Sequence, residues 1–111
     1  MIRVKFLIGN NRLTGFEIKG HAMFAQSGRD VVCAAVSSAA YMAANTVTDI
    51  IGAKAKAQEA EGAMLLVVNE PCEKCFTVLK GFELHMTELS KQYPKNIKVI
   101  YGGVKLSLIH I

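Results

Sequence analysis

The sequence predicts an α/β (α+β) fold: a two-layer sandwich in which two helices cover a small mixed β-sheet, in the order ββαβαβ. Three observations support this fold class. Two β-rich runs flank a turn signal near the start, two longer segments carry apolar residues at helical spacing, and short apolar runs lie on either side of the second one. With 111 residues, 51% of them hydrophobic and 20% charged, the chain has the composition of one globular domain, which excludes a largely disordered protein.

The first predicted element is a β-hairpin. Residues 2–8 form a β-rich run in which charged and apolar side chains alternate, and a Gly-Asn-Asn turn separates them from a second strand over residues 12–19. Residues 21–29 show no clear periodicity and contain a Ser-Gly pair, so they are predicted to form a loop.

The first helix is predicted from an alanine-rich segment, residues 31–48, which contains no charged residue. Its apolar residues recur at steps of three and four, and Gly52 suits the C-cap. A membrane span needs about 20 predominantly apolar residues. This segment is shorter and rich in small and hydroxyl side chains, so we interpret it as a buried core helix. The charged residues 54–61 are predicted to form a connector.

The second half of the chain predicts a strand, a helix and a strand. Residues 64–68 are continuously apolar, which is typical of a strand buried on both faces. Pro71 marks a helix start and Pro94 its end. Between them one apolar stripe consists of Cys75, Leu79, Phe82, Met86, Leu89 and Tyr93. A last strand is predicted over residues 97–101, and residues 104–111 are candidates to extend the sheet.

Cys33 is the main candidate for chemistry, because it lies at the predicted start of the first helix. Free N–H groups at such a position favour a thiolate and can hold an oxyanion. His21, twelve residues upstream, has the side chain that takes a thiol proton and returns it to a leaving amine. Gly20 and Gly28 would let the loop fold back, and Asp30 could orient the histidine, cap the helix or contact substrate. An inert core cysteine and an ordinary strand-end histidine are the structural alternatives.

Two short segments carry a family resemblance. Residues 20–22 read Gly-His-Ala, and residues 28–37 read Gly-Arg-Asp-Val-Val-Cys-Ala-Ala-Val-Ser. In this order and with this gap, they resemble the signature of the ribosomal-processing cysteine protease family, Prp. The length and the predicted order of elements are also similar to those of the family.

The resemblance implies a bacterial, cytoplasmic endopeptidase that removes the N-terminal extension of a large-subunit ribosomal protein. Residues 1–111 would then be a single cysteine-protease-like domain, with Cys33 as nucleophile and His21 as general base and acid. Asp30 and Ser37 become candidates for orienting the histidine or binding substrate. The resemblance also implies a homodimer that needs no cofactor, metal, membrane or nucleic acid.

A flexible loop is a further implication of the resemblance. It would span residues 22–29 and order over the substrate, so that Gly20, Ala22 and Gly28 belong to the mobile part of the site.

Two other functions remain open at this stage. Cys72 and Cys75 form a Cys-x-x-Cys pair between a predicted strand and helix, which is the placement of a redox dithiol, or of a zinc site if His85 or His110 contributes. The net charge of +4 allows a non-catalytic module that binds RNA or the ribosome, although the chain contains no run of basic residues. Three cysteines are too few for a disulfide scaffold and indicate free thiols in a reducing compartment.

Overall fold

The protein folds as a five-stranded mixed sheet with two helices. The structure, a computed structural model, describes residues 1–20 and 27–103, and of residues 27–30 it describes only the backbone. The elements follow one another as β1 (Ile2–Gly9), β2 (Arg12–Lys19), α1 (Ser27–Asn45), β3 (Ala55–Ala60), β4 (Ala63–Val68), α2 (Glu73–Gln92) and β5 (Ile97–Gly103). The strand order across the sheet is β3-β4-β2-β1-β5, with β1 and β5 parallel and the other pairs antiparallel. The predicted fold class is confirmed.

The predicted β-hairpin is also confirmed. Asn10 and Asn11 have φ angles of 55° and 64°, a left-handed conformation that asparagine tolerates better than most residues. Turns with two such residues match the right-handed twist of the strands that they join. The asparagine pair therefore sets the geometry with which β2 returns along β1.

Helix α1 begins earlier than the sequence predicts. Residues 27–29 were predicted as loop but belong to the helix, while the rest of that predicted loop, residues 21–26, lies outside the described residues. The prediction was wrong because the first turn has the sequence Ser-Gly-Arg-Asp, which contains no apolar side chain and so shows no apolar pattern.

The end of α1 follows the prediction. One π-helical turn, Thr46–Ile51, continues the helix, and Gly52 caps it with a φ of 73° and an N–H group that donates to the Val47 carbonyl. The stretch Val31–Ile51 has the length and composition of a membrane span. One face of it, however, packs into the hydrophobic core through Val36, Ala40 and their neighbours, as expected of a core helix.

Strand β3 replaces the predicted charged connector. Its sequence, Ala-Lys-Ala-Gln-Glu-Ala, alternates small and polar residues and lacks the β-branched and aromatic residues typical of strands. Backbone pairing with β4 over six residues forms the strand instead, and the Asn69 N–H extends the pairing by donating to the Lys54 carbonyl at 2.9 Å. The observed order is therefore ββαββαβ, with one strand more than predicted.

The core lies between the sheet and the two helices. At its centre the ring of Phe82 from α2 lies 4.6 Å from that of Phe16 and 5.7 Å from that of Phe6. The predicted stripe of α2 is buried from Cys75 to Leu89. Strand β4 is buried on both faces, as predicted: Leu66 belongs to this core, whereas Leu65 and Val67 pack with Leu7 on the opposite face of the sheet.

Candidate active site

Cys33 lies in the second turn of α1, because the helix starts at Ser27. The prediction that Cys33 occupies the helix start is therefore wrong. The electrostatic benefit of a helix N-terminus falls off within the first turn, so it does not explain a reactive thiol here. The side chain is half-buried and packs beside the core. The surroundings of the sulfur, rather than the helix end, must support any reaction.

A cavity of about 300 Å³ lies beside Cys33. Three parts of the fold form its walls: α1, the end of the sheet where β1 begins and β2 finishes, and the turn between β3 and β4. Cys33 and Ser37 are four residues apart on α1 and both line this cavity, as does Gly20 at the end of β2. The structure thus brings three of the predicted site residues to one concave surface, which is the usual form of a site for a small ligand or a peptide side chain.

Gly20 has a backbone conformation that requires glycine. Its φ angle is +83°, and a Cβ atom built on it would lie only 2.3 Å from the carbonyl oxygen of Met1. The backbone therefore passes directly over Met1 as it leaves β2. Because His21 is the next residue, this close approach fixes the point from which the segment with the predicted base departs.

The structure describes the remaining predicted site residues only in part. His21 and Ala22 lie outside the described residues. Asp30 and Gly28 belong to the backbone of α1, Asp30 three residues before Cys33 and Gly28 in the first turn rather than in a loop. Whether a histidine reaches Cys33 thus stays a prediction.

The structure adds residues that the sequence analysis missed. Tyr41 lines the same cavity, and its position eight residues after Cys33 continues the helical face that Ser37 shares. Steps of four residues were the signal by which Tyr41 could have been found. Glu59, near the end of β3, and Glu61, in the turn between β3 and β4, also line the cavity. They were missed because β3 itself was not predicted.

Cys72 and Cys75 lie at the opposite end of the sheet. They line a separate cavity of about 150 Å³ together with Arg12 at the start of β2, whereas the Cys33 cavity is at the end of that strand. His85 follows Cys75 by ten residues on α2, about 15 Å along the helix axis, so one metal ion cannot bind both. His110 lies outside the described residues. Among those that are described, no group of three or more His, Cys, Asp or Glu side chains is placed to hold a metal.

Comparison with known proteins identifies the family. A family model described as cysteine protease Prp matches residues 1–98. This chain belongs to the Prp family of cysteine proteases. The resemblance noted in the sequence is confirmed, and with it the assignment of the protein as a cysteine protease.

Individual relatives agree with this assignment. The ribosomal processing cysteine protease Prp of Mycoplasma pneumoniae is 32% identical over 95 residues, which cover 85% of this chain and 90% of the relative. Among solved structures, SMU.848 from Streptococcus mutans is 25% identical, with a TM-score of 0.80 over 94% of this chain and 96% of its own.

A second solved structure is the protease Prp from S. aureus in complex with a substrate peptide. It has a TM-score of 0.83 at 18% identity, over 92% of this chain and 100% of its own. This likeness concerns the fold.

Proposed function

We propose that this Prp-family protease removes the N-terminal extension of a bacterial large-subunit ribosomal protein, with Cys33 as the nucleophile and His21 as the general base and acid. One observation carries the proposal: Cys33, a half-buried cysteine in the segment that resembles the family's signature, lines a cavity large enough for a peptide side chain. The name of the Mycoplasma pneumoniae relative, a ribosomal processing protease, supports the choice of substrate.

The chemistry follows from the two side chains. His21 takes the proton of the Cys33 thiol, and the thiolate sulfur attacks the carbonyl carbon of the scissile peptide bond. The imidazolium then gives its proton to the leaving amine as the C–N bond breaks, and a thioester to Cys33 remains. A water molecule, deprotonated by His21, attacks this thioester and restores the thiol. No cofactor or metal enters this cycle.

The neighbouring residues have supporting roles in the proposal. In the proposal, the Ser37 hydroxyl contacts the substrate backbone or the histidine, which is supported by the position of Ser37 one helical turn after Cys33 at the same cavity. Asp30 has the same two possible functions. The loop that orders over the substrate is confined in the proposal to residues 22–26, because residues 27–29 belong to α1. The proposal includes a homodimer in the bacterial cytoplasm, for which sedimentation equilibrium should give twice the 12.1 kDa mass of the chain at micromolar concentration.

A cleavage assay tests the catalytic assignment. The substrate is a peptide that spans the extension junction of the large-subunit ribosomal protein from the same organism, and the products are identified by mass spectrometry. We expect one cut by the wild type and a loss of at least about 1,000-fold in kcat/KM for Cys33→Ala and His21→Ala.

Cys72→Ser is the matched control, because it removes a thiol at the other end of the sheet and should cleave at the wild-type rate. Equal cleavage by Cys33→Ala and the wild type would refute the nucleophile. If the wild type is folded and its Cys33 is readily alkylated in a separate sample, but the unmodified enzyme cleaves no junction peptide, the proposed substrate is refuted.

A further inference from the structure

The Cys72–Cys75 pair has no part in the proposed protease chemistry. Its cavity lies at the start of β2, and the Cys33 cavity lies at the other end of that eight-residue strand, roughly 25 Å away at about 3.3 Å per residue. Among the described residues, the two thiol sites share no wall residue, so a substitution at one leaves the lining of the other unchanged.

The two cysteines have different environments at the start of α2. Cys72 is the N-cap residue, with extended backbone angles (φ −155°, ψ 106°), and its sulfur accepts a hydrogen bond from the Cys75 N–H at 3.1 Å. That N–H group is one of those that a helix leaves without a partner at its first turn. The sulfur of Cys72 is half-buried and borders the cavity, whereas Cys75 is only 1% exposed.

The protonation of Cys75 follows from its position. Burial raises the pKa of the Cys75 thiol to about 12, and the nearby Cys72 sulfur contributes through a hydrogen bond and through its charge. Cys75 is therefore a protonated thiol at neutral pH and is shielded from dissolved reagents. Only a group that is already beside it, such as a derivatised Cys72, can react with it readily.

The start of α2 contacts the hairpin beside the two cysteines. Arg12 forms an ion pair with Glu73, and its guanidinium carbon lies 4.1 Å from the centre of the Phe76 ring. These contacts fix the residues on both sides of Cys75 against β2. The dithiol thus belongs to an ordered surface cavity.

We propose that Cys72 and Cys75 form a thiol–disulfide exchange site, whose substrates are small disulfides of the glutathione class. The Cys72 thiolate attacks one sulfur of the disulfide RSSR, so that a Cys72–S–S–R bond forms and RS⁻ leaves. Cys75 then loses its proton and attacks the Cys72 sulfur, which forms the Cys72–Cys75 bond and expels the second RS⁻. Both RS⁻ groups take up the protons that the cysteines lose, so two protein thiols are oxidised and RSSR is reduced to two RSH.

Equilibration of the reduced full-length protein with mixtures of reduced and oxidised glutathione tests this proposal. Acid quenching, alkylation and peptide mass mapping then identify the state of each cysteine. We expect a Cys72–Cys75 disulfide that increases with the oxidised fraction and is reversed by excess thiol. The same equilibrium is expected in Cys33→Ser, because that thiol is not involved.

Single variants of the pair separate the two roles. Cys75→Ser should trap the glutathione adduct on Cys72. In Cys72→Ser, Cys75 should react with oxidised glutathione at least about 100-fold more slowly than Cys72 does in Cys75→Ser. Circular dichroism verifies the fold of each variant.

The wild-type measurement decides the question even if a variant does not fold. If the native protein forms no Cys72–Cys75 disulfide in a mixture that fully oxidises the urea-unfolded chain, the two cysteines are a helix cap and a core residue only, and the proposal is refuted.

Discussion

Replacement of Gly20 by alanine should impair both stability and cleavage. The new Cβ would lie 2.3 Å from the Met1 carbonyl oxygen, and such atoms are essentially never closer than 3.0 Å. The two segments must therefore move apart by about 0.7 Å. The positive φ of +83° adds a backbone cost of about 1 kcal/mol, and the displaced contact adds about 1–3 kcal/mol. We expect a loss of about 2–4 kcal/mol in the free energy of unfolding, measured by urea denaturation.

Gly52→Ala is the matched control for this substitution. Gly52 has a similar φ of +73°, but a Cβ atom added to it would have no neighbour within 4 Å in the described part of the chain. It caps the π-helical turn that follows α1 and does not line the Cys33 cavity. Gly52→Ala should lower the free energy of unfolding only by the backbone cost of a positive φ, about 1 kcal/mol. This corresponds to a decrease of roughly 4 °C in Tm.

Cleavage should separate the two glycine variants further. A displacement of less than 1 Å next to the predicted base can lower the rate about 100-fold, so kcat/KM should fall to this extent in Gly20→Ala and stay unchanged in Gly52→Ala. The assay is run well below the temperature at which either variant unfolds. If Gly20→Ala is no less stable than Gly52→Ala and cleaves at the wild-type rate, the close approach to Met1 does not position the site.

Two further substitutions test the core and one surface hydrogen bond. Leu79→Ala, at a fully buried position of α2, should lower the free energy of unfolding by about 2–5 kcal/mol in urea, whereas Leu84→Ala on the same helix, at a residue 64% exposed, should change it by about 0.5 kcal/mol or less. A hydrogen bond of 2.6 Å to Glu83 raises the pKa of Tyr101 to about 12. Because this pKa is raised, the stabilisation is present below the unfolded value near 10 and is lost as the pH rises through 12, which ultraviolet titration and unfolding at high pH should show. Burial opposes the ionisation of Glu83, but its bonds from Lys80 and Tyr101 prevail and lower its pKa, so Tyr101→Phe should raise the Glu83 pKa measured by NMR. An unchanged Glu83 pKa would show that the bond is absent in solution.

The elements that the sequence predicts correctly are those with a side-chain signature of their own. Asn10 and Asn11 identify the hairpin turn, and the stripe from Cys75 to Leu89 identifies α2. Strand β3 has no such signature, because its strand conformation depends on backbone bonds to β4 that no local pattern encodes. The first turn of α1, with the sequence Ser-Gly-Arg-Asp, has no apolar residue that would indicate a helix.

The residues of the candidate site likewise differ in whether the sequence alone indicates them. Cys33, Ser37 and Gly20 could be selected from sequence, and the structure places them around one cavity. Glu59 and Glu61 on the third wall could not be selected, because they belong to β3 and to the turn that follows it, and β3 was not predicted. The helix-start explanation for Cys33 failed for a related reason, since a helix boundary without an apolar pattern cannot be located from sequence alone.

The parallel pairing of β1 with β5 has a consequence for how the chain is synthesised. Ile2 of β1 pairs with Ile97 of β5, so β1 leaves the ribosome long before the strand of its parallel pairing has been synthesised. At about 5–20 residues per second, the intervening chain takes roughly 5–20 s to make. Throughout that time β1 can pair with β2 but exposes its other edge, and until α2 has been made the ring of Phe6 lacks its contact with Phe82. The nascent protein therefore passes through a hairpin with an open edge, and this stage is the one at which chaperones and aggregation compete for the chain.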